Sequence, residues 1–216
     1  MIIAKNIKFS YGHLKVLKDI SLKINKGEFI SIIGSSGAGK TTLLNILGTL
    51  QKLQYGSLKI NNQEIKNLND TQLSSFRNKH IGFVFQFHNL LPEFTVLENV
   101  CLPALINKGN KVKIEQKAKQ ILENLHMIDK INQKPNELSG GEQQRVSVAR
   151  SLINSPTILL ADEPSGNLDS KNANDLHNIL LKLNKEKQQT VVVITHNNDL
   201  AKLADRVIRI EDGKII

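Results

Sequence analysis

A single cysteine, Cys101, in 216 residues leaves no partner for an internal disulfide, and nothing around it resembles a metal-ligand cluster. It reads as buried and inert. No apolar run approaches the roughly 18 to 20 residues that span a bilayer, and the opening MIIAKNIKFSYG lacks a cleavable secretory pattern. The expectation is a soluble, cytosolic chain. There is no internal repeat and no low-complexity linker, and the length suits one sizeable domain, with subdomains, burying roughly 70% of its unfolded surface. Acidic residues are the minority, 20 against 29 Lys and Arg, for a net charge of +9. That balance admits an acidic partner such as nucleic acid, nucleotide or an anionic membrane surface. The lysines are scattered, however. Their densest cluster, KGNKVKIEQKAK (108–119), runs into an amphipathic pattern with the stripe Ala118, Ile121, Leu122, Leu125 and Ile128, and reads as a solvated helix face.

What is present is organised by two periodicities. IIAKNIKF at the start and ISLKIN (20–25) alternate roughly, with turn signals around Gly56 to Asn62, and predict a small antiparallel sheet. FISIIG (29–34), IGFVFQ (81–86), TILLAD (157–162) and TVVVIT (190–195) are instead continuously apolar. Such runs suit strands covered on both faces, as in a parallel sheet with helices between. Helical spacing fits 40–50, 115–128, 141–154 and 172–185, the last with Ala173, Leu176, Ile179, Leu180 and Leu183 on one face. The alternation predicts an α/β fold with a mostly parallel core sheet, in which residues from about 88 to 155 form an inserted helical subdomain.

GSSGAGKTT (34–42) follows a buried strand and opens a helix, with Gly34, Gly39, Lys40 and Thr41 in the places a phosphate-binding loop requires. Glycines let backbone N–H groups turn inward to phosphate oxygens, and the helix N-terminus adds positive partial charge. Lys40 then reaches the β and γ phosphates, and Thr41 is a candidate Mg²⁺ ligand. ILLADEP (158–164) supplies a buried strand ending in two carboxylates. Asp162 is placed to hold Mg²⁺, directly or through water, and Glu163 to orient or deprotonate a water attacking the γ-phosphate. Gln86 and His196 also end buried strands; each alone is compatible with an ordinary satisfied polar residue, and together they converge on the ligand-binding edge of one sheet. Tyr11, far upstream, is equally readable as an ordinary tyrosine.

A second glycine-opened helix start, ELSGGEQQRVSVARSL (137–152), can also hold a phosphate. With Tyr11, the loop at 34–42, Gln86, LSGGEQQR, ILLADEP, SGNLD (165–169) and His196 in this order and spacing, the whole chain resembles the ATP-binding cassette family. The resemblance implies an ATPase using ATP and Mg²⁺. It implies that Gly34, Ser35, Ser36, Gly37, Ala38, Gly39, Lys40, Thr41 and Thr42 cradle the phosphates, with Tyr11 stacked on adenine. Thr41, Gln86 and Asp162 fall to the metal, Glu163, His196 and Gln86 to catalysis. Ser139, Gly140 and Gly141 would bind the γ-phosphate held by a second subunit, with Asp169 at the seam. One loop and one signature per chain then require a head-to-tail homodimer that completes two sites. Glu142 stands where many members carry Gln, with the glycines intact.

Within the family, FVFQFHNLLPEFTVLENV (83–100) is similar to the ATPases of bacterial lipoprotein-releasing complexes, with export and cell-division ATPases as the next relatives. That implies integral membrane permease subunits as partners, a lipoprotein as the indirect cargo, and a peripheral place on the cytoplasmic side of the inner membrane. Phe87, Leu90, Leu91, Phe94 and Leu97 are then either an apolar docking groove or helical-subdomain core. The absence of a long coiled-coil insertion and of a second cassette argues against a nucleic-acid partner.

Overall fold

The computed structural model describes residues 2–107 and 109–216; Lys108, the first residue of the basic cluster, lies outside them. Two sheets carry the chain. The first is antiparallel, with β1 (Ile2–Tyr11) between β2 (Leu14–Ile24) and β4 (Tyr55–Ile60), and the short β5 (Gln63–Glu64) at its edge. The second is ordered β10-β9-β3-β8-β7-β6 and comprises β3 (Phe29–Ile33), β6 (Ile81–Phe85), β7 (Ile158–Asp162), β8 (Thr190–Ile194), β9 (Arg206–Glu211) and β10 (Lys214–Ile215). Its pairings are parallel except for β9 with β10.

The continuous apolar runs have the predicted cause. Ile158 and Leu160 of β7, with Val192 and Ile194 of β8, face a core shared with the antiparallel sheet and α1 (Lys40–Leu47). Leu159, Ala161, Val191 and Val193 face the opposite core. Alternate side chains of a strand point to opposite faces, so both must be apolar when both are covered.

The second face is covered by α3 (Val96–Leu105), α4 (Lys111–Asn124), α5 (Gly140–Leu152) and α6 (Ser170–Lys187), whose apolar residues join one cluster with the strands. α3 to α5 fall between β6 and β7, where the inserted helical segment was expected. Cys101 is buried there, and burial pushes its thiol up to about 11, so the inert reading fits.

Boundaries moved where caps decided them. α1 stops at Leu47 instead of 50, because Thr49 takes φ +58° and a Cβ on Gly48 would lie 2.3 Å from the Phe83 ring. α4 starts at Lys111 instead of 115, since the Asn110 side chain accepts the Lys113 N–H at 3.1 Å, and it ends before His126, at φ +56°. Ile128 therefore leaves the stripe and sits in a short turn, exposed. Sequence periodicity also missed α2 (Asp70–His80), which has no buried residue and is announced only by the Asn69–Gln72 capping box. The five-residue α7 (Asn198–Lys202) was missed as well.

Candidate nucleotide site

β3 delivers the glycine-rich loop to the C-terminal edge of the parallel sheet. Gly34 leaves the strand at φ +152°, where a Cβ would lie 2.1 Å from the Ile210 carbonyl oxygen; only glycine passes β9 so closely. Gly39, at φ +99°, is the N-cap of α1. Between them Ala38 turns into the core, and its carbonyl accepts the Gly213 N–H at 3.2 Å, which ties the loop to the β9–β10 turn. Lys40 Nζ donates to the carbonyls of Gly34 (2.9 Å) and Ser35 (2.8 Å), which lays the ammonium across the loop.

The two carboxylates differ in environment. Asp162 ends β7, and Thr41 Oγ1 donates to its Oδ1 at 3.4 Å. Burial pushes the Asp162 carboxyl above the usual carboxylate range and the neighbouring Glu163 adds to this, while the Thr41 hydroxyl and the Lys40 charge oppose it. Glu163 has a left-handed backbone, φ +45°, with its N–H bonded to the Ile194 carbonyl at 3.0 Å. Its Oε2 stands 2.8 Å from His196 Nδ1, and its side chain is 18% exposed against 72% for the imidazole. A non-glycine residue in that region is strained, and such strain concentrates at functional sites.

A cavity of about 640 Å³ joins these groups. Gly34, Ser36, Gly37, Gly39, Lys40, Thr41 and Thr42 line it, as do Gln86, Asp162, Glu163 and His196. Tyr11, half exposed and packed edge-on against Phe9 at 4.8 Å, lines it as well, with Leu14 and Val16. The cavity therefore brings Lys40 and the glycine-rich loop together with an exposed tyrosine ring and apolar side chains, groups that suit a nucleoside triphosphate. Ser35 and Ala38 lie off its surface, although both belong to the loop.

The second glycine-rich stretch is separate from this cavity. Ser139 caps α5: its hydroxyl accepts the Glu142 N–H at 3.3 Å, while Glu142 Oε2 accepts the Ser139 N–H at 2.8 Å. The Ser139 N–H first, and the Ser139 hydroxyl donating to the same oxygen at 2.9 Å, hold the Glu142 carboxyl below the usual carboxylate range. The residue that departs from the common Gln thus completes a capping box. Ser139 and Gly140 are exposed, and none of Ser139, Gly140, Gly141 and Asp169 lines the cavity. Asp169 caps α6, accepting the Asn172 N–H at 2.9 Å. A Cβ on Gly141 would lie 2.3 Å from Asn172 Oδ1, so only glycine lets the start of α5 pass the start of α6 so closely.

Four more residues hold the site and had no assigned role in the sequence reading. Gln86 Nε2 donates to Asn167 Oδ1 at 3.1 Å. His177 Nε2 is 3.1 Å from Ser165 Oγ, both buried. Gln144, inside the signature stretch, donates to the Phe85 and Pro164 carbonyls. Arg150 donates to the carbonyls of His88 (2.7 Å) and Asn89 (2.6 Å), fixing the segment after Gln86. Gln144 and Asn167 stand inside motifs that carry the resemblance, and His177 is one histidine on the apolar stripe of α6.

The docking alternatives divide within that segment. Phe87, Leu91 and Phe94 are exposed, Phe87 at 71%, whereas Leu90 and Leu97 pack against the core.

A buried strand, a glycine-rich loop and a helix, with an aspartate at the end of a neighbouring strand, define a P-loop nucleoside triphosphatase. Within that class residues 17–166 match the family described as ABC transporter, and this chain belongs to it as an ATPase subunit. The lipoprotein-releasing system ATP-binding protein LolD of Cytophaga hutchinsonii is 54% identical over 213 residues, 99% of this chain and 97% of the relative. LolD of Bacteroides thetaiotaomicron is 52% identical over 215 residues, covering 100% and 99%. Among solved structures, the ATP-binding cassette MJ0796, as a dimer in a post-hydrolysis state bound to ADP and Pi, superposes with a TM-score of 0.91 at 42% identity, covering 100% of this chain and 96% of that one. No helix among the described residues is long and apolar enough to cross a membrane.

Proposed function

We propose that this chain drives release of lipoproteins from a bacterial inner membrane, as a head-to-tail homodimer on the cytoplasmic face of integral membrane permease subunits. The observation that carries this reading is the separation of the two phosphate-binding starts. The loop of Lys40 lines one cavity with Gln86, Asp162, Glu163 and His196, while Ser139 and Gly140 lie exposed outside it. A second copy brings its α5 to the first copy's nucleotide, and the reverse. The dimeric state of MJ0796 and the names of the LolD relatives support the assembly and the cargo.

In this reading the loop N–H groups and Lys40 bind the phosphates and Tyr11 stacks on adenine. Glu163 takes the proton of the attacking water, with His196 orienting its carboxylate. Thr41, Asp162 and Gln86 offer oxygen donors suited to a hard cation, and Mg²⁺ held there neutralises charge on the phosphates. Mg²⁺ needs few protein ligands, because phosphate oxygens and water complete its shell. Asp169 starts α6 beside the dimer seam. ATP closes the dimer because Ser139 and Gly141 contact its γ-phosphate only in the closed state, and hydrolysis removes that difference. The exposed Phe87, Leu91 and Phe94 receive the membrane subunits. Residues from about 88 to 155 act as the helical arm of a single cassette domain spanning 1–216.

The test is to trap Glu163→Gln with ATP in native membranes and identify what co-purifies by mass spectrometry. Permease subunits with acylated lipoproteins are expected. A division-type membrane partner with cell-wall hydrolase regulators, and no lipoprotein, overturns the transport reading.

A further inference from the structure

We infer that Gln144 is a positioning residue for ATP hydrolysis, linking the signature helix of a chain to the catalytic edge of the same chain. The inference rests on the roles given above to Gln86 and Glu163. Gln144 is 1% exposed on α5. Its Nε2 donates to the Pro164 carbonyl at 2.7 Å and to the Phe85 carbonyl at 3.3 Å. Phe85 immediately precedes Gln86, and Pro164 immediately follows Glu163. Phe85 and Asp162 are register partners in neighbouring strands, so one amide spans the ends of β6 and β7.

The chemistry of the contact shows which half of the amide is used. Two carbonyl oxygens demand a donor, and the flipped orientation would set Oε1 against both of them. Oε1 is buried and has no hydrogen-bond partner. A buried amide satisfied on one side only is costly, and Val146, Val148 and Ala149 on the same helix already share one apolar core with Val84 and Ala161 of these strands. Packing alone would be better served by Leu or Met. What the amide adds is a polar tie to two backbone positions that flank the catalytic side chains.

The tie has a direction. Gly140 lies four residues before Gln144, one turn along the helix. A shift of Ser139 and Gly141 as they engage the γ-phosphate in the partner's site moves Nε2 with them. The pull reaches Pro164 and therefore Glu163, whose φ of +45° is held by its surroundings. In the dimer each α5 reads the nucleotide of one site and sets the carboxylate of the other.

The experiment compares steady-state ATP hydrolysis, per folded nucleotide-binding molecule, of the full chain and two variants. Gln144→Met keeps length and packing and removes the donor; kcat is expected to fall about tenfold or more, with KM for ATP within about twofold. Gln144→Glu places a carboxylate against two carbonyls, and only its protonated form can donate. Its kcat relative to wild type should therefore rise as pH is lowered from about 8 to about 6, a range within which an unfavourably buried carboxyl regains its proton. A merely structural role moves melting temperature and yield, and produces no such recovery. A kcat for the Met variant within about twofold of wild type overturns the inference, as does a flat relative pH profile for the Glu variant, which alone decides if the Met variant fails to fold. Glu163→Gln is measured in parallel. If that variant keeps its turnover, the catalytic assignment itself is wrong; if it loses turnover while Gln144→Met does not, only the positioning role falls.

Discussion

Glu163 Oε2 holds His196 twice, through Nδ1 at 2.8 Å and through the backbone N–H at 3.2 Å. The carboxylate after β7 and the imidazole after β8 thereby form one unit, because their strands are parallel neighbours with Asp162 opposite Ile194. The mostly exposed imidazole orients a carboxylate that is largely covered. That arrangement suits a group that must accept a proton from water at a defined position.

Glu163→Gln keeps the shape and the bond to the His196 N–H but cannot act as a base. Phosphate release is expected to fall about 100-fold or more, with nucleotide affinity retained. Phosphate release and equilibrium nucleotide binding, measured on the same preparation, check this.

Lys40 lies across the loop on the Gly34 and Ser35 carbonyls and lines the cavity. Lys40→Ala removes a charge-assisted donor to phosphate, and the Kd for ATP should rise about tenfold or more. Calorimetric titration reads this directly. Affinity for adenosine, which lacks phosphates, should not change.

Asn99 is fully buried and makes four hydrogen bonds with the 91–95 segment: its Nδ2 donates to the Leu91, Phe94 and Thr95 carbonyls, and its Oδ1 accepts the Leu91 N–H. Asn99→Ala leaves the Leu91 N–H and the Phe94 carbonyl without these partners and should cost about 2 kcal/mol of stability. Urea denaturation measures the loss. The exposed Phe87→Ser should cost less than about 0.5 kcal/mol while weakening capture of the membrane subunits.

Asp205 accepts the Phe29 N–H at 2.9 Å and lies 3.3 Å from Lys185 Nζ. The backbone bond first, then the lysine, hold its carboxyl below the usual range. A depressed carboxyl stabilises the fold above the unfolded value, about 3.9, and loses that contribution as pH falls through the folded value. The urea midpoint of wild type should therefore drop on acidification below about pH 4, and Asp205→Asn should flatten part of that drop.

The buried strands, the phosphate loop and the strand-end residues Gln86, Asp162, Glu163 and His196 were legible because each follows an apolar run that only a covered strand explains. α2 was not, since only Leu73 and Phe76 pack against the core and two apolar residues make too short a period to detect. Gln144 stands within the signature motif, yet its role was illegible for another reason: its partners are the Phe85 and Pro164 carbonyls, brought near only by folding.

The sequence by itself determined that a triphosphate loop and two adjacent carboxylates exist, because glycine spacing and strand periodicity are local properties of the chain. Only the tertiary structure decided that Tyr11 lines one cavity with that loop, that Ser139 and Gly140 stand outside it, and that Phe87 is exposed while Leu90 is packed. Those relations depend on which surfaces the two cores consume, and burial is settled by the whole fold at once.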